Sequence, residues 1–389
     1  MNGLHEDMLF LLRCGVNCSL LTNQRVSKLD STEKLMRMYK LSESHFVDAI
    51  IGMVLKSSGI KLPKVWEESI AKAKRNELLF DMERMKILSF MEEKGIWYLP
   101  LKGIVLKEYY PCLGMRQMSD NDILFDDSYA ATVKEYMETL GYGTVTFGSE
   151  VHDVYKKPPI FNFEFHRSLF HEETSSIWEA YYQDLKSRLI SDKNSLYGYH
   201  MKPEDFYIYM ICHSYKHYSG NGTGIRSLLD IYVYLKKMEK HMDFSFIKNE
   251  CEILGISDFE EKGRSLCYKV FGEEQEFIDS ILSEEELQML SAFLRSGVYG
   301  TYEQMIEKRM LKYTNDEGIV SKRKYLLDRV FPRREDSQYL SFFVKHWWLL
   351  PLFWVARIIR MIVNKERRKK AFIELKVARK HGCSLTRFF

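Results

Sequence analysis

The stretch that decides the fold is Leu99-Pro-Leu-Lys102-Gly103, followed by Gly114-Met-Arg116-Gln-Met-Ser-Asp120-Asn-Asp122-Ile-Leu-Phe125. An apolar run ends in a Lys-Gly turn, and an Asp-x-Asp pair later leads into a second apolar run. Residues two apart on a strand point to the same side, so Asp120 and Asp122 at a strand start would direct two carboxylates at one point. Two adjacent carboxylates are costly unless a cation lies between them, and Mg²⁺ (or Mn²⁺) is the usual one. The stretch therefore predicts a metal site of the kind used by enzymes that transfer nucleotidyl groups.

Composition bounds the class of protein. The chain has 389 residues and a formal net charge of +3, which predicts two or three domains and no specific nucleic-acid partner. Its seven cysteines are scattered without a C-x-x-C pair, which predicts free thiols in a reducing cytosol. No signal-peptide pattern opens the sequence and no apolar run is long enough to span a membrane, so a cytoplasmic location is expected.

The spacing of apolar residues predicts an α+β protein that is predominantly helical. Helical spacing runs through residues 1–90, above all from Val65 to Lys94, where Gly95 supplies a stop signal. After about residue 172 helices return, one of them opened by Pro203. Between these parts, short strands alternate with helices. This order predicts a small mixed sheet flanked by helical N- and C-terminal segments.

The changes of pattern divide the chain into four segments. They are a helical segment at 1–90, a catalytic core at 91–170, a helical domain at 171–330 and an aromatic and basic segment at 331–389. In the last segment, tryptophans and a basic run are typical of a surface that contacts anionic membrane. The alternative is a helix that packs in the core, followed by a solvated basic tail.

A third acidic residue is expected on a strand beside the Asp-x-Asp pair. Residues Ile160 to Phe165 alternate, with phenylalanines on one face and Glu164 on the polar face. In a catalytic interpretation, Asp120 and Asp122 hold one metal bound to nucleotide phosphates. Glu164 then completes a second metal site and assists deprotonation of the attacking hydroxyl. The alternative for the pair is a solvated strand start or a helix cap. Weaker candidates for the third position are Asp153 and Glu150.

Histidines flank the same region. His166 shares a face with the third carboxylate, where it either orients that group or is an ordinary strand-end histidine. His213 and His217 share one helical face. Their spacing suits zinc, but packing onto the sheet or lining an acceptor pocket is the favoured interpretation. Asp230 either pairs with Arg226, four residues earlier, or bonds to a histidine.

In this order, the motifs resemble those of a known family. Residues 90–170 are similar to the core of polymerase-beta-type nucleotidyltransferases. The motifs that resemble the bacterial family of uncharacterised nucleotidyltransferases are Leu99-Pro-Leu-Lys-Gly, Gly-Met-Arg116, Asp120-x-Asp122-Ile-Leu, Phe163-Glu-Phe-His166 and His213-x3-His217. The resemblance implies that Asp120, Asp122 and Glu164 are the metal ligands. It also implies transfer of an NMP group from an NTP to an unknown acceptor hydroxyl or phosphate, in surface-polysaccharide metabolism.

One departure from the wider superfamily lies in the motif that binds the triphosphate. The usual Gly-Ser at a helix start is missing, and Lys102-Gly103 stands in its place. Gly103 permits close backbone approach to a bound phosphate, and Lys102 is either a point charge there or a surface lysine at a turn. Arg116 either clamps phosphate oxygens or orients Asp120 or Asp122 through an ion pair. Two other functions stay open: a catalytically inactive binding module, and a peripheral membrane assembly factor acting through the C-terminal segment.

Overall fold

The computed structural model describes most of the chain. Described are residues 3–29, 31–149, 152–172, 174–220, 222–273, 282–297, 321–331 and 364–380, with isolated positions between 306 and 358. Residues 1–218 with 223–298 form one compact unit, and residues 219–222 with 299–389 form a second. The four-segment division stays a prediction, and most of the aromatic stretch at 339–363 lies outside the described residues. Among the helices described, none combines the length and apolarity needed to cross a membrane.

Helices make up most of the first unit, which confirms the predominantly helical α+β class. They are α1 (Gly3–Val16), α2 (Asn23–Leu29), α3 (Thr32–Ser44), α4 (Asp48–Ser57), α5 (Lys64–Lys94), α6 (Gly103–Leu106), α7 (Ala130–Thr139), α8 (Ser176–Tyr182), α9 (Pro203–Ser219), α10 (Ile225–Met238), α11 (Phe244–Ile253), α12 (Ser257–Phe271) and α13 (Glu284–Ser296). Helix α9 begins at Pro203, as the sequence predicts, because proline suits a first helical turn.

Five strands form the predicted mixed sheet. They are β1 (Tyr98–Pro100), β2 (Asn121–Phe125), β3 (Gly143–Thr146), β4 (His152–Lys157) and β5 (Phe161–His166), in the order β1-β2-β5-β4-β3. Strands β2 and β5 pair in parallel, and the other neighbours pair antiparallel. A parallel pair needs a crossover connection, which here contains α7 and the β3–β4 hairpin. A separate ribbon joins β6 (Ile190–Ser191) to β7 (Tyr199–His200).

Helix α5 connects two hydrophobic cores. It ends at Gly95, as predicted, where φ of +70° and an N–H donated to the Glu92 carbonyl oxygen form a left-handed glycine cap. Trp66, near the start of α5, is buried in the core formed by the helices. Ile87, near its end, is buried in the core beneath the sheet. The sheet is therefore anchored to the helical part of the unit through one continuous helix.

One face of the sheet is apolar. Ile123 and Phe125 of β2 and Phe163 and Phe165 of β5 are buried, and the rings of Phe125 and Phe165 meet edge to face with centroids 5.4 Å apart. Burial of a side chain of this size contributes about 2 kcal/mol. Because side chains alternate along a strand, this packing holds the polar residues of β2 and β5 on the opposite face.

The helical core contains buried polar links between distant segments. The hydroxyl of Tyr207 on α9 donates to Glu260 on α12 at 2.8 Å. His45, which follows α3, accepts through Nδ1 the backbone N–H of Ile225 at the start of α10, at 3.3 Å. These contacts satisfy polar groups that would otherwise be costly to bury.

The second unit has its own small apolar cluster, which includes Tyr325 and Val377. Its described helices are Lys322–Val330 and Lys365–Lys380. The Tyr325 hydroxyl donates to Glu374, and Arg329 Nε donates to the same carboxylate at 2.6 Å.

Candidate active site

Two carboxylates lie side by side on the parallel strands β2 and β5, and a third precedes them on the chain. Asp122 on β2 is the register partner of Glu164 on β5, and Asp120 lies two residues before Asp122. Burial raises the pKa of Glu164, and the charges of Asp122 and Asp120 raise it further, which places the three groups within electrostatic reach of one another. The structure thus pairs Asp122 with Glu164 and places Asp120 two residues before Asp122, and their role as a metal site stays a prediction.

Asp122 is the most tightly held of the three and is 2 % exposed. Lys102 Nζ donates to its Oδ1 at 2.6 Å, and His166 Nε2 lies 2.8 Å from the same oxygen. Burial opposes ionisation of Asp122, but Lys102 and His166 outweigh it and hold the pKa well below its ordinary value. Asp122 is therefore a carboxylate at neutral pH. His166 contacts this carboxylate, a different one from the Glu164 group that the sequence suggested it orients.

Asp120 and Glu164 are less well compensated. Burial and then the charge of Asp122 raise the pKa of Asp120, and the pKa of Glu164 is raised to about 7. Within the described part of the chain, neither makes a close ion pair with a lysine or arginine. Raised carboxyl pKa values in a buried cluster are relieved when a cation approaches. Three carboxylates of this kind fit Mg²⁺ or Mn²⁺, which prefer oxygen ligands.

The backbone at Lys102 is strained. This residue joins β1 to α6 with φ +47° and ψ −120°, a conformation that costs a residue with a Cβ about 1–3 kcal/mol. The Leu101 N–H donates to the Asp122 carbonyl oxygen at 2.9 Å, which fixes the turn to β2. At Gly103, an added Cβ would lie 3.0 Å from Met118 Sδ, so glycine lets the turn pack against the 114–120 loop.

Arg116 lies in a buried ion pair and is 8 % exposed. Its Nε and Nη2 donate to the Asp230 carboxylate at 2.7 and 2.9 Å, and its Nη1 donates to the Gln117 carbonyl oxygen at 2.8 Å. The alternative in which Arg116 pairs with Asp120 or Asp122 is wrong, because the forked contact with Asp230 takes up the guanidinium. A contact between Arg116 and phosphate stays a prediction.

Asp230 links α10 to the chain around Arg116. The Tyr110 hydroxyl donates to Asp230 Oδ1 at 2.7 Å. Arg226 donates instead to the Gln117 carbonyl oxygen at 2.9 Å. Both expected partners of Asp230, Arg226 and a histidine, are therefore wrong, since Arg116 and Tyr110 occupy its oxygens. A place for Asp230 in an acceptor pocket stays a prediction.

His213 and His217 lie on α9 with their Nε2 atoms 3.2 Å apart. Burial and then the charge of Lys102 lower the pKa of His213 well below its ordinary value. Burial, Lys216 and Lys102 lower the pKa of His217 to about 4. Both side chains are therefore neutral at pH 7, and the charge of Lys102 acts on the pKa of each. Their role in an acceptor pocket stays a prediction.

Sequence reasoning missed His152. It is the register partner of His166 across β4 and β5, with ring centroids 5.1 Å apart. Its Nε2 lies 3.7 Å from Glu164 Oε2. The sequence predicts a strand that begins at His152. It does not indicate that this residue lies beside His166, because that neighbour depends on how β4 pairs with β5.

The weaker candidates for the third carboxylate do not join the cluster. Asp153 is fully buried and accepts hydrogen bonds from Arg167 Nη2 at 2.8 Å and from the Gly148 N–H at 2.7 Å. It follows His152 on β4, so its side chain lies on the other face of the strand. Glu150 lies outside the described residues.

Comparison with known proteins identifies the family. The model of a family described as "Uncharacterised nucleotidyltransferase" matches residues 31–272. No curated protein and no solved structure matches the chain. The matched range spans more than half of the chain and contains all the residues of the acidic cluster. The chain therefore belongs to the uncharacterised nucleotidyltransferase family.

Proposed function

We propose that this member of the uncharacterised nucleotidyltransferase family moves an NMP group from an NTP to an acceptor hydroxyl or phosphate, with release of pyrophosphate and dependence on Mg²⁺ or Mn²⁺. Family membership supports nucleotidyl transfer in general, with a nucleoside triphosphate as substrate. The register pairing of Asp122 with Glu164, with Asp120 beside them, carries the finer proposal. This pairing sets two carboxylates side by side with a third two residues away, which supports a metal-dependent transfer to a hydroxyl.

The residues of the site have different proposed roles in binding the metal and the triphosphate. Asp120 and Asp122 would hold one metal at the nucleotide phosphates and Glu164 would complete a second metal site, and the bound ions would neutralise charge on the triphosphate. Asp122 keeps its negative charge because Lys102 and His166 hold its pKa low. Lys102 adds a positive charge next to this carboxylate and is proposed to contact a phosphate oxygen. Gly103 leaves room for the backbone to approach the same phosphate.

Glu164 is the proposed proton acceptor. Its carboxylate lies beside Asp122 across the parallel strands, and burial and the neighbouring carboxylates raise its pKa in the metal-free protein, which supports a part in accepting the proton. In the transfer, the acceptor oxygen forms a bond to the α-phosphorus as the bond from that phosphorus to pyrophosphate breaks. The hydroxyl proton passes to the Glu164 carboxylate.

A nucleotide-binding module without transfer activity is the second candidate. The contact between Lys102 and Asp122 favours it, because the ammonium occupies the carboxylate oxygen nearest to it. The replacement of Gly-Ser by Lys102-Gly103 favours it as well. Under this candidate, nucleotides bind without metal and are not turned over.

The finer setting of the activity is also a proposal. We propose a cytoplasmic protein of surface-polysaccharide metabolism that contacts anionic membrane through residues 331–389. The basic helix Lys365–Lys380 supports the membrane contact. Truncation after Gln338 tests it: loss of binding to anionic vesicles supports the contact, and unchanged binding contradicts it. Loss of binding in a protein without transfer activity would favour the membrane assembly factor.

The test of the proposed activity begins with thermal unfolding of the full chain, with each NTP, with and without Mg²⁺ or Mn²⁺. A ligand that binds the native state raises the Tm by mass action. We expect one NTP to raise the Tm only with metal, and Asp122→Asn to abolish this shift. The matched control is Asp127→Asn, the same chemical change at an exposed position beyond β2, which should leave the shift unchanged.

The selected NTP is then used to measure pyrophosphate release with candidate acceptors. Release that requires metal and is lost in Asp122→Asn supports the transferase. Full activity in Asp122→Asn contradicts it. A nucleotide shift that does not need metal, with no release in any acceptor mixture, favours the binding module.

A further inference from the structure

Two imidazoles and one carboxylate converge across β4 and β5. His152 stands directly opposite His166 in the antiparallel register, and Glu164 lies two residues before His166 on the same face. One side-chain donor atom from each of the three residues lies within 4.8 Å of the other two. The strand pairing therefore assembles a mixed nitrogen and oxygen donor set at the Glu164 end of the acidic cluster.

The hydrogen bonding of His166 leaves one ring nitrogen available. Its Nε2 lies 2.8 Å from Asp122 Oδ1. A carboxylate paired with Lys102 can only accept, so the imidazole hydrogen is assigned to Nε2 and the lone pair to Nδ1. That Nδ1 is buried and has no hydrogen-bond partner among the described residues. Metal-binding histidines commonly donate their second ring N–H to a carboxylate in this way, which fixes the tautomer and the ring orientation.

His152 shows the same feature. Its Nδ1 is also buried without a hydrogen-bond partner in the described part of the chain, while its Nε2 lies near Glu164. An unpartnered buried ring nitrogen is costly, and a metal ion satisfies it without a proton. A second imidazole beside Glu164, together with an unpartnered Nδ1 on a His166 ring that is oriented by a carboxylate, distinguishes this cluster from a simple acidic patch.

We propose that His152, Glu164 and His166 bind an imidazole-preferring transition-metal ion of the Zn²⁺, Co²⁺ or Fe²⁺ class. Two imidazoles with one carboxylate favour these ions, whereas Mg²⁺ prefers oxygen ligands alone. The inference deepens the proposed function, on which it rests for the part that the ion plays in transfer. It assigns a distinct ion to the Glu164 end of the site, apart from the Asp120 and Asp122 carboxylates.

The test uses Co²⁺, whose visible absorption reports its ligands, on the full chain stripped with a chelator, without nucleotide and with millimolar Mg²⁺. We expect the wild type to bind Co²⁺ and to show visible bands that the Mg²⁺ does not remove. His152→Ala should weaken Co²⁺ binding at least about tenfold. The matched control His241→Ala changes an exposed histidine and should bind as the wild type does.

Displacement of Co²⁺ by Mg²⁺, or wild-type affinity in His152→Ala, overturns the inference. If His152→Ala does not fold, as judged by circular dichroism, His152→Asn takes its place. Co²⁺ binding is measured without nucleotide, so the result tests the metal site independently of the proposed transfer activity. Co²⁺ retention without any transfer activity would overturn the proposed function alone, and Mg²⁺-dependent transfer with no His152-dependent Co²⁺ binding would overturn this inference alone.

Discussion

At the residue scale, Asp122 is held through its side chain, its strand pairing and its backbone carbonyl. Its side chain contacts Lys102 and His166, its register partner is Glu164, and its carbonyl oxygen accepts the N–H of Leu101. These contacts hold the Asp122 side chain in a single conformation. Its less constrained neighbour Asp120 is then the carboxylate with the freedom to adjust to a ligand.

The ammonium of Lys102 and a divalent cation compete for the Asp122 carboxylate. We expect Lys102→Met to destabilise the metal-free protein by about 3 kcal/mol, since it leaves a buried carboxylate without its partner. We also expect Mg²⁺ to raise the Tm of this variant more than that of the wild type. Thermal unfolding with and without Mg²⁺ measures both effects.

The control for this prediction is Lys86→Met, which removes a lysine from an ion pair with Glu83 at a more exposed position. It should cost less than about 1 kcal/mol and leave the response to Mg²⁺ unchanged. An equal response to Mg²⁺ in wild type and Lys102→Met would show that metal does not bind at Asp122.

His45 makes stability depend on pH. Burial, and then the charge of His5, lower its pKa from 6.5 to about 4 in the folded protein. Between these values the unfolded chain binds a proton that the folded chain does not, so stability falls as the pH drops from about 6.5 toward 4. The contribution of His45 makes the protein about 2 kcal/mol less stable at pH 5 than at pH 7.

Urea unfolding at pH 5 and pH 7 checks this prediction in the wild type and in His45→Gln. Other buried histidines contribute to the wild-type slope, so the informative quantity is the difference between the two proteins. His45→Gln should lose less stability on acidification than the wild type. Identical losses would mean that His45 is not the group responsible.

At the element scale, α5 depends on how it ends. Gly95 has φ +70°, and a Cβ there would lie 3.3 Å from the Tyr197 hydroxyl oxygen. Gly95→Ala should therefore cost about 1–2 kcal/mol in the free energy of unfolding. Gly3→Ala is the matched control, because that glycine lies in open space and its φ is not left-handed. Chemical denaturation at pH 7 measures both, and equal stability of the two variants would contradict the prediction.

Elements with a local signal were predictable from the sequence. In three elements, the spacing of apolar residues within the element itself indicates the structure. They are the helix from Val65 to Lys94, the β3–β4 hairpin and the alternating strand at Ile160–Phe165, and the structure has all three. Asp120, Asp122 and Glu164 were singled out for the same reason, because two lie on one motif and the third lies on a clean polar face.

Contacts that depend on pairing between distant segments were not predictable. The partner of Asp230 is Arg116, 114 residues away, whereas the sequence favoured Arg226 at helical spacing. His152 meets His166 only because of the register of β4 on β5. Local periodicity sets which face a side chain occupies, but the neighbour on that face comes from packing of the whole unit.

At the scale of the whole molecule, the candidate residues all lie in the first compact unit. We expect a chain that ends at residue 298 to unfold cooperatively and to keep any metal-dependent Tm shift with NTP seen in the full chain. The reason is that both large hydrophobic cores lie before this point. The same thermal assay on the two chains measures it. Loss of the shift in a truncated chain that still unfolds cooperatively would show that later residues take part in binding.

The parallel pairing of β2 with β5 has a consequence for the order of events during synthesis. The two strands are separated along the chain by α7 and a hairpin, so their contact is non-local and forms slowly relative to the intervening elements. On the ribosome, Asp120 and Asp122 emerge well before Glu164 and His166. A nascent chain therefore carries two of the three carboxylates before the third has emerged, and the complete set first exists when β5 is added to the sheet.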